Sequence, residues 1–188
     1  MKSLPVILLL LQAVGLQVGE AQSITSLSFD GREFKNAFNA TSDRPRLVMV
    51  FSPTCPHCLK GASEAREVLE RMPEAKLKVL TLWSPILQRD SKGAAERATA
   101  YLSDPRAEHF WDLWTFGSRT YARQFQYPKN EKAWDIFILY GAHLSWGEEP
   151  PKDAILMQHR HVDVEIGTKY NQQLLEKELV RLTGVRGY

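Results

Sequence analysis

Arg46-Leu47-Val48-Met49-Val50-Phe51 is a run of β-forming residues with no polar break after Arg46, bounded by Pro45 and Pro53. A short continuous apolar run between breakers reads as a strand buried on both faces, because a half-exposed strand alternates instead. Ser52-Pro53-Thr54-Cys55-Pro56-His57-Cys58 follows without a linker. From Cys58 to Met72 the pattern becomes helical. Ala62, Ala65, Val68, Leu69 and Met72 recur at spacings of three and four, while Glu64, Arg66, Glu67 and Arg71 fall outside that stripe. Pro73 ends the segment. A doubly buried strand that runs straight into an amphipathic helix needs a sheet covered on both faces, which points to an α/β fold.

The rest of the chain continues the alternation. Residues 24–43 read as a short strand, a turn at Asp30-Gly31 and a short helix. Leu77 to Trp83 is a second buried strand, and Gly93 to Leu102 is an Ala-rich helix stopped by Asp104-Pro105. Residues 110–114 suggest a third strand, Ser118 to Phe125 a helix, and Pro128-Lys129-Asn130 a turn. Trp134 to Tyr140 is a strongly apolar strand, Ile155 to Val164 another, and Asn171 to Leu182 a helix with Leu175, Leu179 and Leu182 on one face. Strands alternating with helices imply parallel βαβ crossovers, with an antiparallel hairpin near the end. The expectation is one α/β domain with a central mixed, mostly parallel sheet flanked by helices.

Residues 1–21 precede that domain. Lys2 supplies a short positive region, Leu4 to Leu11 an apolar run, and Gly19 and Ala21 small residues at a cleavage site after Ala21. The reading is a secretory signal peptide, with residues 22–188 as the mature domain. The apolar stretch is short for a bilayer span and is interrupted by Gln12 and Gln17, so the processed chain is not expected to be membrane-embedded. The short Lys-containing start suits bacterial export, and the expected location is periplasmic or secreted. The net charge of +2 and the absence of a basic cluster exclude phosphate-driven nucleic-acid binding.

The chain has two cysteines, Cys55 and Cys58, in one C-x-x-C. Two thiols build neither a multi-bridge scaffold nor a four-cysteine zinc or iron–sulfur site. In an oxidising compartment they have a more specific use. At a strand–helix junction the first sulfur meets unpaired amides and the positive end of the helix dipole, which favour a thiolate. Pro56 suits the first helical turn because it has no N–H to lose. Cys58, one turn on, can close a disulfide with Cys55 and so resolve a mixed disulfide with a partner. His57 beside Cys55 adds positive charge, and a stabilised reduced form makes the pair oxidising. An inert Cys55–Cys58 bridge is a poor alternative, since so small a loop constrains the unfolded chain little.

The segment from Leu47 to Cys58 resembles the strand and active site of the thioredoxin superfamily, over an element order covering roughly residues 44–183. Cys55-Pro56-His57-Cys58 is similar to the motif of periplasmic oxidants of the DsbA type. Trp134-Asp135, Pro150-Pro151 and Gln158-His159 resemble a group of uncharacterised bacterial thioredoxin-like proteins. The resemblance implies a thioredoxin-like fold with Cys55 as nucleophile, Cys58 as resolving thiol, and Pro56 and His57 tuning the pair. It implies no cofactor. The expected partners are thiol- or disulfide-bearing exported proteins, or a membrane redox partner. Thioredoxins also carry a buried acid six residues before the first cysteine, where this chain has Met49. They carry a cis-proline before the strand facing the thiols, whereas here Ala133-Trp134 precedes that strand, and Pro150 and Pro151 are the other candidates.

Other residues carry chemistry. Met157, His159 and His161 alternate along one strand and share a face. With Cys55 and Cys58 they form a soft donor set suited to copper, zinc or mercury, so copper or soft-metal binding or delivery is the alternative function. The plainer reading makes them ordinary strand residues and assigns no metal. Asp112 and Asp135 lie among the tryptophans, and either could replace the acid missing at Met49. Trp111, Trp114, Trp134 and Trp146 suit core or rim packing, or an apolar groove for an extended chain. His109 and His143 are expected in loops.

Overall fold

The computed structural model describes residues 20–160 and 166–185. The signal-peptide reading therefore falls almost wholly outside the described residues. In chain order the elements are β1 (Ile24–Ser26), α1 (Arg32–Ala40), β2 (Arg46–Phe51), α2 (Pro56–Glu70), β3 (Lys78–Trp83), α3 (Lys92–Ala98) continued by a 3-10 turn (Thr99–Leu102), and β4 (Ala107–Trp111). Then come α4 (Phe116–Gln124), β5 (Ile136–Tyr140), β6 (Ala154–His159), β7 (Thr168–Lys169) and α5 (Gln172–Thr183).

The strands form one sheet in the order β1-β4-β3-β2-β5-β6-β7. β1, β4, β3 and β2 run parallel, β5 is antiparallel to β2, and β6 is antiparallel to β5. β2 lies between β3 and β5, and all six of its residues are buried, as its unbroken apolar pattern requires. Leu47, Met49 and Phe51 pack into an apolar layer under α2, α3 and α5. Val48 and Val50 pack into the opposite layer, under α1 and α4. The β2–α2–β3 crossover, the β5–β6 hairpin beside β2 and the closing α5 make a thioredoxin-like fold: a mixed α/β sheet flanked by helices.

One expected strand is displaced. β4 ends at Trp111, so residues 112–114 leave the sheet. The Asp112 carboxylate accepts hydrogen bonds from the Phe116 and Gly117 amides at 2.7 and 2.8 Å and from Ser84 Oγ at 3.1 Å. It thereby satisfies open N–H groups of the first turn of α4, and this turns the chain away from the strand. Leu113 and Trp114 are consequently exposed, while Trp83, Trp111 and Trp146 are buried. His109 lies inside β4 rather than in a loop. It is buried, accepts a hydrogen bond from Trp83 Nε1 at 3.2 Å, and lies 3.0 Å from Gln22 Oε1. Burial draws its pKa down to about 4, so it is neutral at pH 7.

Candidate thiol site

Cys55 is the N-cap residue of α2, with extended backbone (φ −80°, ψ 120°), and Pro56 opens the helix. The Cys55 carbonyl accepts from the Leu59 amide at 3.0 Å, and the Cys55 amide donates to the Ser52 carbonyl at 3.3 Å. Both cysteines are free thiols. Cys55 is 5% exposed and Cys58 is fully buried, while Pro56 and His57 face solvent. The Ser52 amide donates to Cys58 Sγ at 3.4 Å.

The two thiols are strongly unlike. Cys55 is drawn down to about 6, chiefly because the Cys58 thiol hydrogen-bonds to its sulfur. The backbone amides of Cys58 and His57 and the charge of His57 act in the same direction, against the opposing effect of burial. Cys58 is pushed well above the ordinary thiol range by burial first, then by its contacts with Cys55 and Asp135. The sulfur at the helix start is thus the readily ionised, nucleophilic one, and the sulfur a turn inside stays protonated.

The buried acid nearest the thiols comes from the segment before β5 and not from β2. Met49 is buried in the apolar layer beneath α2. Asp135 stands immediately before β5 in a left-handed conformation (φ 51°). The next residue, Ile136, pairs with Val50, so Asp135 lies at the end of β2 from which the Cys55 loop departs. Asp135 is buried, and its carboxyl interacts with the Cys58 thiol. Its Oδ1 is buried and has no hydrogen-bond partner among the described residues. Burial, and then the negative charge of Cys55, raise it to about 7. Of the two aspartates the sequence offered, Asp135 belongs to the thiol site and Asp112 to the start of α4.

No peptide bond among the described residues is cis. Of the residues before β5, Trp134 packs against the apolar layer that holds the thiols, whereas Ala133 belongs to the opposite layer. Pro150 and Pro151 precede β6, whose first residue pairs with Tyr140, and Tyr140 pairs with Arg46 at the opposite end of β2 from Cys55. Those prolines therefore stand away from the thiols.

Met157 and His159 do share a face, opposite Ile138 and Ile136. Met157 packs in the apolar layer of α1 and α4, whereas Cys55 and Cys58 belong to the layer of α2. The sheet lies between that methionine and the thiols. His159 is buried, and His161 lies outside the described residues. Among the described residues no group of three His, Cys, Asp or Glu side chains is placed to hold a metal ion.

Sequence reasoning missed two residues. Asp90, in the loop after β3, accepts from Ser52 Oγ at 2.8 Å, Thr54 Oγ1 at 2.6 Å, and the amides of Thr54, Ile86 and Leu87 at 3.1, 2.9 and 2.7 Å. One carboxylate thus ties the turn before Cys55 to the neighbouring loop. Arg160, just after β6, reaches back to Glu64 on α2. Neither residue has a sequence signature, because Asp90 reaches Ser52 and Thr54 across 38 and 36 positions and Arg160 reaches Glu64 across 96.

No protein-family model and no curated protein matches the chain. Among solved structures it is similar to a thioredoxin-family thiol:disulfide interchange protein from Chlorobium tepidum, with 12% identity, 90% of this chain and 99% of that one covered, and a TM-score of 0.47. It is similar to a secreted Mycobacterium tuberculosis disulfide oxidoreductase homologous to E. coli DsbE, with 12% identity over 76% of this chain and 85% of that one, at a TM-score of 0.46. A SCO1/SenC family lipoprotein from Bacillus anthracis shares 9% identity over 88% of this chain and 96% of that one, at a TM-score of 0.49.

Proposed function

We propose that the chain is an exported thiol–disulfide oxidoreductase that oxidises the cysteines of other exported proteins through Cys55 and Cys58. The observation that carries this reading is the inequality of the two thiols: Cys55 drawn down to about 6 at the N-cap of α2, Cys58 buried and pushed up one turn away. A thiolate so stabilised is a good leaving group, and it favours the reduced protein over its disulfide, which makes the disulfide oxidising.

In the oxidising direction a substrate thiolate attacks Cys55 Sγ of the Cys55–Cys58 disulfide. The S–S bond breaks and Cys58 leaves with the electron pair. Protonated Asp135 gives its proton to Cys58, which keeps that buried thiol neutral. A second substrate thiolate then attacks the substrate sulfur of the mixed disulfide, the substrate disulfide forms, and Cys55 leaves as thiolate. Two electrons pass to the protein, and a partner disulfide, for example on a membrane redox protein, restores the oxidised pair. His57 adds positive charge near Cys55, and Pro56 starts the helix whose amides face it.

The test is the reduction potential of the pair, measured by equilibration with glutathione buffers, together with oxidative refolding of a reduced disulfide protein. The expected result is a potential above about −200 mV, in the range of oxidising exchange proteins, and refolding activity lost in Cys55→Ser. A potential below about −300 mV, the range of structural disulfides, refutes the reading.

A further inference from the structure

Arg160 has no part in the exchange steps as written, yet it packs against α2 one helical turn past Cys58. Its side chain is mostly buried and is held in three ways. The guanidinium pairs with Glu64 on α2. It stacks on the Tyr170 ring, with Cζ 4.3 Å from the centroid. Its Nε, buried and without a hydrogen-bond partner among the described residues, lies against α2 at Gly61, 3.5 Å from where a Cβ would stand. Gly61 is three residues beyond Cys58, on the same side of the helix. The missing side chain at Gly61 is what admits Arg160 and Phe137 there, since a Cβ would come within 2.8 Å of the Phe137 ring. The Arg160 backbone amide donates to the Asp135 carbonyl at 3.2 Å, so the residue also ties down the backbone of the acid that meets Cys58.

We propose that Arg160 is a positioning residue for the thiol pair: its guanidinium, placed one helical turn past Cys58, stabilises the charge on Cys58 when the Cys55–Cys58 bond opens or closes. Asp135 comes from the start of β5 and Arg160 from the end of β6, and both interact electrostatically with Cys58. Burying a thiolate without a counter-charge is costly, and a nearby cation lowers that cost even when a carboxylate shares it, as Glu64 does here. The device rests on the thiol-exchange function proposed for Cys55 and Cys58. In that reaction Cys58 departs with the electron pair of the broken S–S bond, so only the step that breaks or forms this bond feels Arg160. Displacement of a substrate from Cys55 does not involve the Cys58 sulfur and does not feel it.

The experiment separates the two steps. Opening of the oxidised pair by reduced glutathione is followed in wild type, Arg160→Lys, Arg160→Gln and Arg160→Met. Displacement by a second thiol is followed on a Cys55–glutathione mixed disulfide in the Cys58→Ala background, with and without Arg160→Met. The expected result is opening slowed roughly three- to tenfold in the Gln and Met variants, nearly restored in the Lys variant, and displacement unchanged. Opening at the wild-type rate in the Gln variant overturns the proposal. So does equal slowing in Lys and Met, or equal slowing of both steps, since each indicates a packing role only. If the Met variant does not fold, the Gln and Lys pair decides. A wild-type disulfide that glutathione does not open refutes the thiol-exchange reading itself, a separate outcome.

Discussion

The Cys55 thiolate owes its stability first to the neighbouring thiol, and Cys58→Ala removes that donor while leaving the start of α2 in place. Wild-type Cys55, at about 6, is half ionised near pH 6 and about 90% ionised at pH 7. A hydrogen bond to a charged group contributes about 1.5–3 kcal/mol, and 1.36 kcal/mol corresponds to a tenfold change in ionisation. Losing it moves the midpoint upward by roughly one to two pH units. At pH 6 the rate of iodoacetamide alkylation should therefore fall from half its plateau to between about 1% and 10% of it. The assay is the alkylation rate of the reduced protein from pH 4 to 9, checked by thiolate absorbance. Cys58→Ser keeps a donor and should hold the midpoint nearer to wild type. A midpoint unmoved in Cys58→Ala would refute the reasoning and assign the thiolate to the His57 and Cys58 amides and the His57 charge instead.

Three further outcomes follow from particular contacts. Because burial raises the Asp135 carboxyl to about 7, the folded state prefers its protonated form, and stability is lost as pH rises from the unfolded value near 4 through 7. Reduced Asp135→Asn escapes that loss, so urea unfolding at pH 8 should find it more stable than wild type, by up to about 4 kcal/mol, with the difference vanishing near pH 4. In Asp90→Ala, the Thr54, Ile86 and Leu87 amides lose their common acceptor, and hydrogen exchange should show them deprotected while the β2 amides stay protected. Gly117→Ala would place a Cβ 2.4 Å from Leu82 Cδ1 and should cost about 1–3 kcal/mol in thermal or urea unfolding, whereas Gly147→Ala, with nothing within 4 Å, should be nearly neutral.

The parts of the fold that were legible in the sequence are those written in consecutive residues. β2 announced itself by an unbroken apolar run, α2 by its spacing of three and four, and the C-x-x-C stood at their junction, where the structure places it. The end of β4 is hard to read from the sequence because Phe110 to Trp114 is apolar at every position but Asp112. What stops the strand is Asp112 bonding to amides four and five residues ahead, and the apolar pattern carries no trace of that. Met157 and His159 were rightly placed on one face, but which face of a two-sided sheet they would take is set by the pairing of β6 with β5.

The sequence by itself determined the local chemistry: two thiols one helical turn apart, at the N-terminus of a helix that follows the chain's most buried strand. Helix polarity and strand burial depend on neighbours a few residues away, so no long-range information was needed. The surroundings of the thiols were decided only by tertiary structure. Asp135 meets Cys58 from 77 positions along the chain because antiparallel pairing brings the start of β5 to the end of β2. Asp90 and Arg160 reach the same region from other loops of the sheet. An electrostatic environment is a property of distance in space. Sequence separation says nothing of that distance until the sheet order is known.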